Sequence, residues 1–235
     1  MTAVGVASAA NFGQGHDEPY ARALASGSGT LTLRPDGGPD QAGAVDYDVR
    51  GWCEEASLLE RSLLRTLQGP VLDVGCGPGR LLAAAQRIGL TALGIDTSAE
   101  AVGRARGRGA RALEQSVFAP VPHPGLWQSV VLLDGNIGIG GSITALLRRC
   151  SQLIAPDGTL LAEVEANEDL DLVYSAVLED QHGNQSESFR WARTGSAGLV
   201  SRAERNGWAV TAIERIQGRV FCRLSLDALP DRLLG

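Results

Sequence analysis

Residues 71–80 read Val-Leu-Asp-Val-Gly-Cys-Gly-Pro-Gly-Arg, and this stretch decides the fold. An apolar run containing Asp73 leads into three glycines at alternate positions, and a helix-like segment follows at 81–88. This order predicts a strand, a tight turn and the start of a helix. Glycines let backbone N–H groups approach a ligand, and the helix dipole favours a negative group there. Because open α/β sheets bind ligands at the carboxyl ends of their strands, the stretch predicts a ligand site.

A second strand with an acid at its end follows at residues 91–96, which read Thr-Ala-Leu-Gly-Ile-Asp. Its last residue, Asp96, lies about 20 residues beyond the first glycine, the offset at which nucleotide-binding α/β units place a carboxylate on ribose hydroxyls. Residues 97–100, Thr-Ser-Ala-Glu, fit a capping box and predict a helix directly afterwards. The position of Asp96 favours a carboxylate that binds a ribose over one that merely belongs to a turn.

The two segments together resemble class I S-adenosylmethionine (SAM) dependent methyltransferases. The order Asp-x-Gly-x-Gly-x-Gly is tighter than a dinucleotide fingerprint and is similar to motif I of that family, and Gly-Ile-Asp-Thr-Ser is similar to its second motif. The resemblance covers residues 55–225 approximately. It implies SAM as cofactor and S-adenosylhomocysteine (SAH) as product. The cofactor-binding residues that it implies here are Asp73, Gly75, Cys76, Gly77, Asp96 and Thr97.

Two later strands extend the resemblance. The predicted strand at 110–115 leads into Ser116 and Val117, where the family often has an Asp that reads the adenine amino group; Ser116 departs from that pattern. A further strand at 129–133 ends in Asp134-Gly135-Asn136, which is similar to motif IV of small-molecule methyltransferases. The resemblance implies that Ser116, Val117, Asp134 and Gly135 contact SAM, that Asp134 is the catalytic candidate, and that Asn136 lies in the acceptor pocket.

Alternating strand and helix patterns predict an α/β fold. With the resemblance, this implies a Rossmann-like class I methyltransferase fold, a seven-stranded mostly parallel sheet with an antiparallel closing strand and helices on both faces. We expect a flexible tail at 1–15, a helical and hairpin cap at 16–69 that includes a helix at 52–67, and a SAM-binding core at 70–235. A turn is predicted at 155–158, and an inserted hairpin near 170–194 should stand over the acceptor.

The cap and the hairpin supply further acceptor candidates, namely Tyr20, Arg190 and Trp191. We expect Arg190 and Arg193 to share one strand face and Trp191 to occupy the other. If the arginines face the cleft, the acceptor carries a carboxylate or phosphate. If Trp191 faces it, the acceptor is aromatic or apolar. Both possibilities stay open.

Charge, hydrophobicity and cysteine spacing indicate which binding partners to expect. The net charge is −6 over 235 residues, and the arginine-rich run at 104–111 is expected to face solvent, so we expect no nucleic-acid partner. No apolar stretch is long enough to span a bilayer, and residues 1–15 have no basic start typical of a signal peptide, which predicts a cytoplasmic protein. Four scattered cysteines give no zinc or disulfide pattern, and no metal site is expected.

These observations predict a methyltransferase that acts on an O, N or C nucleophile of a small metabolite, plausibly in a specialised biosynthetic pathway, as a monomer or homodimer. The alternative is a methyltransferase-like SAM-binding protein with a non-methylating or regulatory function. The glycine turn and Asp96 indicate which cofactor binds, but they do not identify the acceptor.

Overall fold

The computed structural model describes residues 12–13, 18–37 and 43–227. The helices are α1 Pro19–Ser26, α2 Val49–Cys53, α3 Leu58–Leu64, α4 Arg80–Arg87, α5 Ala99–Gly107, α6 Ile143–Leu153 and α7 Ser196–Glu204, with a 3₁₀ segment at Asn136–Gly141. The strands are β1 Thr30–Pro35, β2 Val45–Asp48, β3 Val71–Val74, β4 Ala92–Asp96, β5 Ala112–Glu114, β6 Trp127–Leu132, β7 Ile154–Val164, β8 Asp171–Asp180, β9 Phe189–Thr194, β10 Trp208–Ile216 and β11 Arg219–Leu226.

Seven strands form the main sheet in the order β10-β11-β7-β6-β3-β4-β5. The five strands from β7 to β5 are parallel neighbours, and β11 runs antiparallel to both β7 and β10. This arrangement confirms the predicted α/β fold with its antiparallel closing strand. The chain reverses its direction of winding at β3, so the carboxyl ends of β3, β4 and β6 meet at the crevice where such sheets bind ligands.

Alternate residues of the central strands bury opposite faces of the sheet. Val130 and Leu132 of β6 pack in one cluster with Leu146 of α6, whereas Val131 and Leu133 pack in another with Leu82 of α4. Such period-two burial on both faces is what a parallel sheet between two helix layers requires. The helices therefore hold the strand ends, and with them the ligand crevice, in a fixed frame.

A second sheet of four strands has the order β2-β1-β8-β9. It joins the N-terminal hairpin to the inserted hairpin, because β1 pairs antiparallel with both β2 and β8, and β8 pairs antiparallel with β9. Both hairpins were predicted, but their union in one sheet was not. A third apolar cluster, which includes Leu31, Leu33, Tyr174 and Trp191, fills the space under this sheet.

Two local predictions were wrong. The single helix expected at 52–67 is broken into α2 and α3, because Ser57 forms a capping box with Glu60 and begins a new helix. The turn expected at 155–158 is instead a bulge inside β7, where pairing with β6 shifts from Trp127–Ile154 to Ser129–Thr159. Among the described residues, no helix is long and apolar enough to cross a membrane.

The 3₁₀ segment packs so closely on β9 that only glycine fits at position 138. A Cβ atom there would lie 2.2 Å from the carbonyl oxygen of Ala192 and 2.7 Å from the Trp191 ring. We predict that Gly138→Ala lowers the free energy of unfolding by about 2 kcal/mol or more, because forcing extra atoms into packed backbone strains it. Denaturant unfolding measures this change.

Gly103→Ala is the matched control, because position 103 lies inside α5 with open space around its Cβ. It should leave the free energy of unfolding unchanged or raise it by about 0.5–1 kcal/mol. Equal free energies of unfolding for Gly138→Ala and the wild type would show that β9 does not rest on this segment.

Candidate active site

The glycine turn between β3 and α4 has the backbone that its sequence predicts. Gly75, Gly77 and Gly79 have φ angles of +72°, +53° and +81°, in the left-handed region that favours glycine. The Gly75 N–H donates to the carbonyl oxygen of Ile95 at 2.8 Å, which ties the turn to the end of β4. The turn therefore lies directly beside the second predicted ligand residue, Asp96.

Asp96 fastens the turn with its own side chain. Its Oδ2 accepts a hydrogen bond from the Gly77 N–H at 2.8 Å, and its Oδ1 accepts one from the Ser98 N–H at 2.9 Å. The carboxyl group is 9 % exposed, and burial raises its pKa although these backbone bonds lower it. Each carboxylate oxygen has a second lone pair, so Asp96 can accept from ligand hydroxyls as well.

Asp73 is the most unusual carboxyl group in the site. It is 3 % exposed, and its Oδ2 is buried with no hydrogen-bond partner in the described structure. Burial, together with the nearby Asp134 and Asp96 and against the influence of Arg80, raises the pKa of Asp73 to about 7. A buried acceptor without a partner is costly, so a cationic donor in the adjoining cavity would satisfy it.

These residues line what we call the glycine-turn cavity, whose wall also contains the end of β6 and aromatic side chains from outside the main sheet. Nine of the ten predicted cofactor-binding residues line it: Asp73, Gly75, Cys76, Gly77, Asp96, Thr97, Ser116, Val117 and Asp134. The tenth, Gly135, lines an adjoining cavity instead. Of the predicted acceptor-binding residues, Tyr20, Asn136, Arg190 and Trp191 all line the glycine-turn cavity.

Asn136 also has a structural role that the sequence did not predict. Its side-chain Nδ2 donates to the carbonyl oxygens of Val74 and Gly75, each at 2.9 Å. A Cβ atom at position 75 would lie 2.6 Å from that nitrogen, so glycine is needed there. Asn136 therefore clamps the glycine turn to the end of β6, and both of its N–H donors are used by the protein backbone.

Asp134, the predicted catalytic residue, is held by two guanidinium groups. Its Oδ2 lies 2.6 Å from Arg80 Nη2, and its Oδ1 lies 3.2 Å from Arg219 Nη2. Its backbone has a φ of +55°, and its N–H donates to Glu163 Oε2 at 2.8 Å. Two arginines therefore hold both carboxylate oxygens of Asp134 in place, and this geometry favours an orienting role for Asp134.

Asp134 takes part in an ion-pair network that the sequence does not predict. Arg80 Nη2 also lies 2.6 Å from Glu60 Oε1, and Arg219 binds both carboxylate oxygens of Glu163 at 2.7 Å. The Arg80 guanidinium holds the pKa of Glu60 at about 2 despite the opposing effect of burial. Because Glu60, Asp134 and Glu163 are far apart in the chain, only the fold reveals that they share two arginines.

An aromatic wall closes the glycine-turn cavity and was also missed in part. Tyr47 and Trp52 lie with ring centroids 5.2 Å apart, and Trp52 and Tyr20 lie 5.8 Å apart. Phe12 packs on Trp191 at 5.3 Å, and its carbonyl oxygen accepts from Thr97 Oγ1 at 2.9 Å. The predicted tail at 1–15 lies outside the described residues apart from positions 12 and 13.

A second cavity, which we call the strand-end cavity, lies beyond Asp134 at the carboxyl ends of β6 and β7 and has a volume of about 320 Å³. Its other walls come from β2, α2, β9 and the turn before β11. Tyr47, Trp52, Asp134 and Trp191 line both cavities, so the two adjoin there. The lining residues that carry polar or aromatic groups are Tyr47, Trp52, Asp134, Glu163, Glu165, Trp191, Arg193 and Arg219.

The expectation that Arg190 and Arg193 share a strand face was wrong. Residues three apart on a strand point to opposite sides, and Arg193 accordingly lines the strand-end cavity on the same side as Trp191. Arg190 is exposed, with its stem at the edge of the glycine-turn cavity. Arg193 Nε donates to Glu165 Oε1 at 2.6 Å, so this arginine is engaged by the protein.

The arginine-rich run at 104–111 is not simply solvated. Arg104 Nη2 donates to the carbonyl oxygen of Ala25 at 2.8 Å, and Arg108 donates to those of Cys53 and Glu54. These carbonyls lie at the C-terminal ends of α1 and α2, where a cation is favourable. The run therefore anchors the two helices that carry Tyr20 and Trp52.

Comparison with known proteins assigns the family. A family model described as "Methyltransferase domain" matches residues 48–229. This chain belongs to that family. The match spans both predicted motifs and most of the residues that line the two cavities, and it confirms the resemblance seen in the sequence. A search of curated proteins found no matching sequence.

Solved structures agree on the fold. A SAM-dependent methyltransferase from Bacteroides fragilis in complex with SAH is 21 % identical, with a TM-score of 0.73, over 91 % of this chain and 96 % of that one. The CcbJ methyltransferase from Streptomyces caelestis is 14 % identical (TM-score 0.59; 76 % and 93 % covered). The 1,6-didemethyltoxoflavin-N1-methyltransferase from Burkholderia thailandensis is 15 % identical (TM-score 0.56; 75 % and 81 % covered).

The buried Asp73 predicts a pH-dependent stability. Because its pKa of about 7 in the folded protein exceeds the ordinary value of 3.8, the folded state keeps a proton that the unfolded state has lost. Stability from this group is therefore present at low pH and is lost as the pH rises to 7. From pH 5 to 8, Asp73 should lower the free energy of unfolding by about 3 kcal/mol.

Asp73→Asn removes this contribution, so the free energy of unfolding of the variant minus that of the wild type should rise by about 3 kcal/mol between pH 5 and 8. Denaturant titrations of the cofactor-free protein at both pH values measure it. Asp157→Asn, at an exposed position of the bulge in β7, controls for the general loss of a negative charge. Parallel pH profiles for Asp73→Asn and the wild type would contradict the assignment.

Proposed function

We propose that this protein transfers a methyl group from SAM to a small-molecule acceptor. The observation that carries the proposal is that the glycine-turn cavity meets the strand-end cavity at Tyr47, Trp52, Asp134 and Trp191. A cofactor in the first cavity and an acceptor in the second would meet at this junction. Membership of the methyltransferase-domain family supports the same reading.

The residues of the glycine-turn cavity fit SAM group by group. The unpartnered Asp73 Oδ2 would accept from the ammonium group of the methionine portion. Asp96, already anchored on the Gly77 N–H, has lone pairs left for the ribose hydroxyls. Ser116 and Val117 line the part of the cavity that remains for the adenine. When bound, SAM supplies a methyl group made electrophilic by a positively charged sulfur.

The rest of the site orients the reactants and excludes water. Holding two reactants in line can supply about 7–11 kcal/mol of the reduction in the barrier in favourable cases. Asn136 and Asp96 fix the glycine turn from two sides, and Asp134 is fixed by two arginines. Phe12 and Tyr20 cover the glycine-turn cavity with apolar rings. A rigid, covered cleft of this kind suits a displacement between two bound molecules.

The size of the strand-end cavity favours a small acceptor. Its volume is about 320 Å³, and β2 and β9 of the second sheet form part of its wall. The Burkholderia thailandensis structure holds 1,6-didemethyltoxoflavin, a small molecule. Other structural neighbours include a glycopeptide N-methyltransferase and a ribosomal protein L11 methylase, so the fold alone does not choose the acceptor. The limited volume of the strand-end cavity is the feature that supports a metabolite.

The alternative, a SAM-binding protein without transfer activity, needs the glycine-turn cavity alone. It gives no reason for a second cavity lined by polar and aromatic groups next to the first. Transfer to an acceptor accounts for both cavities.

Calorimetric titration with SAM tests the proposal. We predict that wild-type protein binds SAM and that Asp96→Ala weakens binding by about 1–3 kcal/mol, about five- to 150-fold in Kd, because ligand hydrogen bonds are lost and the Gly77 anchor is removed. Asp157→Ala, which removes an exposed carboxylate at the opposite end of the strands, should bind like the wild type. Failure of the wild type to bind SAM would refute the function, and unchanged affinity in Asp96→Ala would refute that residue's role.

A further inference from the structure

The charges around the strand-end cavity are unbalanced. Its wall carries three acids, Asp134, Glu163 and Glu165, against two arginines, Arg193 and Arg219. Both arginines are already engaged, since Arg219 binds Glu163 through two 2.7 Å contacts and Arg193 binds Glu165 at 2.6 Å. Glu60 and Arg80, which extend the network behind the wall, add one charge of each sign. An excess of one negative charge therefore faces the acceptor position.

Aromatic rings supply the rest of the wall. Tyr47, Trp52 and Trp191 line the cavity, and the rings of Tyr47 and Trp52 tilt against each other with centroids 5.2 Å apart. The faces of aromatic rings attract cations, and tryptophan attracts them most strongly. The combination of ring faces with surplus carboxylate is therefore suited to a positively charged or basic group. It is unsuited to an anion, because an anionic acceptor would have to displace a carboxylate from an arginine.

We propose that the acceptor is a small molecule carrying a basic amine, and that Glu165 is the carboxylate beside this amine. The proposal rests on the proposed function and deepens it by naming the substrate class. It replaces the carboxylate- or phosphate-bearing acceptor that the arginines of β9 suggested from sequence.

Glu165 fits this role better than Glu163. Both oxygens of Glu163 are bound by Arg219, and one of them also accepts from the Asp134 N–H. Glu165 is anchored by its own N–H, which donates to Thr194 at 2.9 Å, and its side chain is 33 % exposed. It can therefore meet an ammonium group inside the cavity while remaining in contact with water.

Methyl transfer to an amine nitrogen proceeds in two steps. The ammonium group, held beside the Glu165 carboxylate, first loses a proton to water at the open side of the cavity. The nitrogen lone pair then forms the bond to the methyl carbon, the carbon–sulfur bond breaks towards sulfur, and the products are a methylated ammonium and SAH. The carboxylate excess stabilises positive charge on the nitrogen before and after transfer.

Three probes with one ring and different head groups test the proposal: phenethylamine, 2-phenylethanol and 3-phenylpropionate. Each is titrated calorimetrically into the full-length protein saturated with SAH, so that binding is read separately from turnover. We expect the amine to bind about tenfold or more tighter than the alcohol, and the carboxylate to bind weakest. Binding of the carboxylate as tightly as the amine, or of none of the three, would overturn the proposal.

Glu165→Gln tests the residue. We expect the amine-to-alcohol affinity ratio to fall about tenfold, while SAM affinity stays at the wild-type value and shows that the variant is folded. Glu168→Gln is the matched control, because it removes the same charge from an exposed ion pair with Arg215, and its ratio should not change. An unchanged ratio in Glu165→Gln would overturn the role of this residue. Loss of SAM binding by the wild type would instead refute the proposed function itself.

Discussion

The shared ion pairs of Asp134 hold the site together. Arg80, at the start of α4, joins Asp134 to Glu60 of α3, and Arg219, at the start of β11, joins it to Glu163 of β7. Five elements of the chain thus meet at one small group of charges. Buried charges are tolerated only when each is paired and hydrogen-bonded, so these elements must keep their relative positions. The glycine-turn cavity and the strand-end cavity both lie against Asp134.

Short sequence motifs predicted those site residues that directly follow a strand. Asp73, the glycines after it and Asp96 each follow a strand directly, so their arrival at one sheet edge is a consequence of parallel strand order. The same logic brought the end of β6 into the site. Positions 155–158 show the limit of local signals, because turn-forming residues there are absorbed as a bulge in β7 once it pairs with β6.

Partners distant in the chain could not be predicted, because no local pattern encodes them. Asn136 was expected only in the acceptor pocket, and the sequence does not show that its amide donates to the carbonyl oxygens of Val74 and Gly75. Glu60 reads as a capping residue, yet its carboxylate also pairs with Arg80. Phe12 reads as part of a tail, and its contact with Trp191 depends on a strand about 180 residues later. The side of β9 on which Arg193 lies could have been predicted, because residues two apart on a strand, such as Trp191 and Arg193, share one face.

The two sheets contribute different residues to the two cavities. The seven-stranded sheet supplies the glycine turn, Asp96 and Asp134, which line the glycine-turn cavity. The four-stranded sheet is built from two hairpins that lie outside the seven-stranded sheet, and it carries Tyr47, Trp191 and Arg193. Because residues of both sheets line the strand-end cavity, changes in the hairpins can alter this cavity while the glycine turn and Asp96 stay in place. Under the proposed function, the acceptor is then selected by hairpin residues outside the sequence motifs, and the shape and charge of the cavity are the better guide to its chemistry.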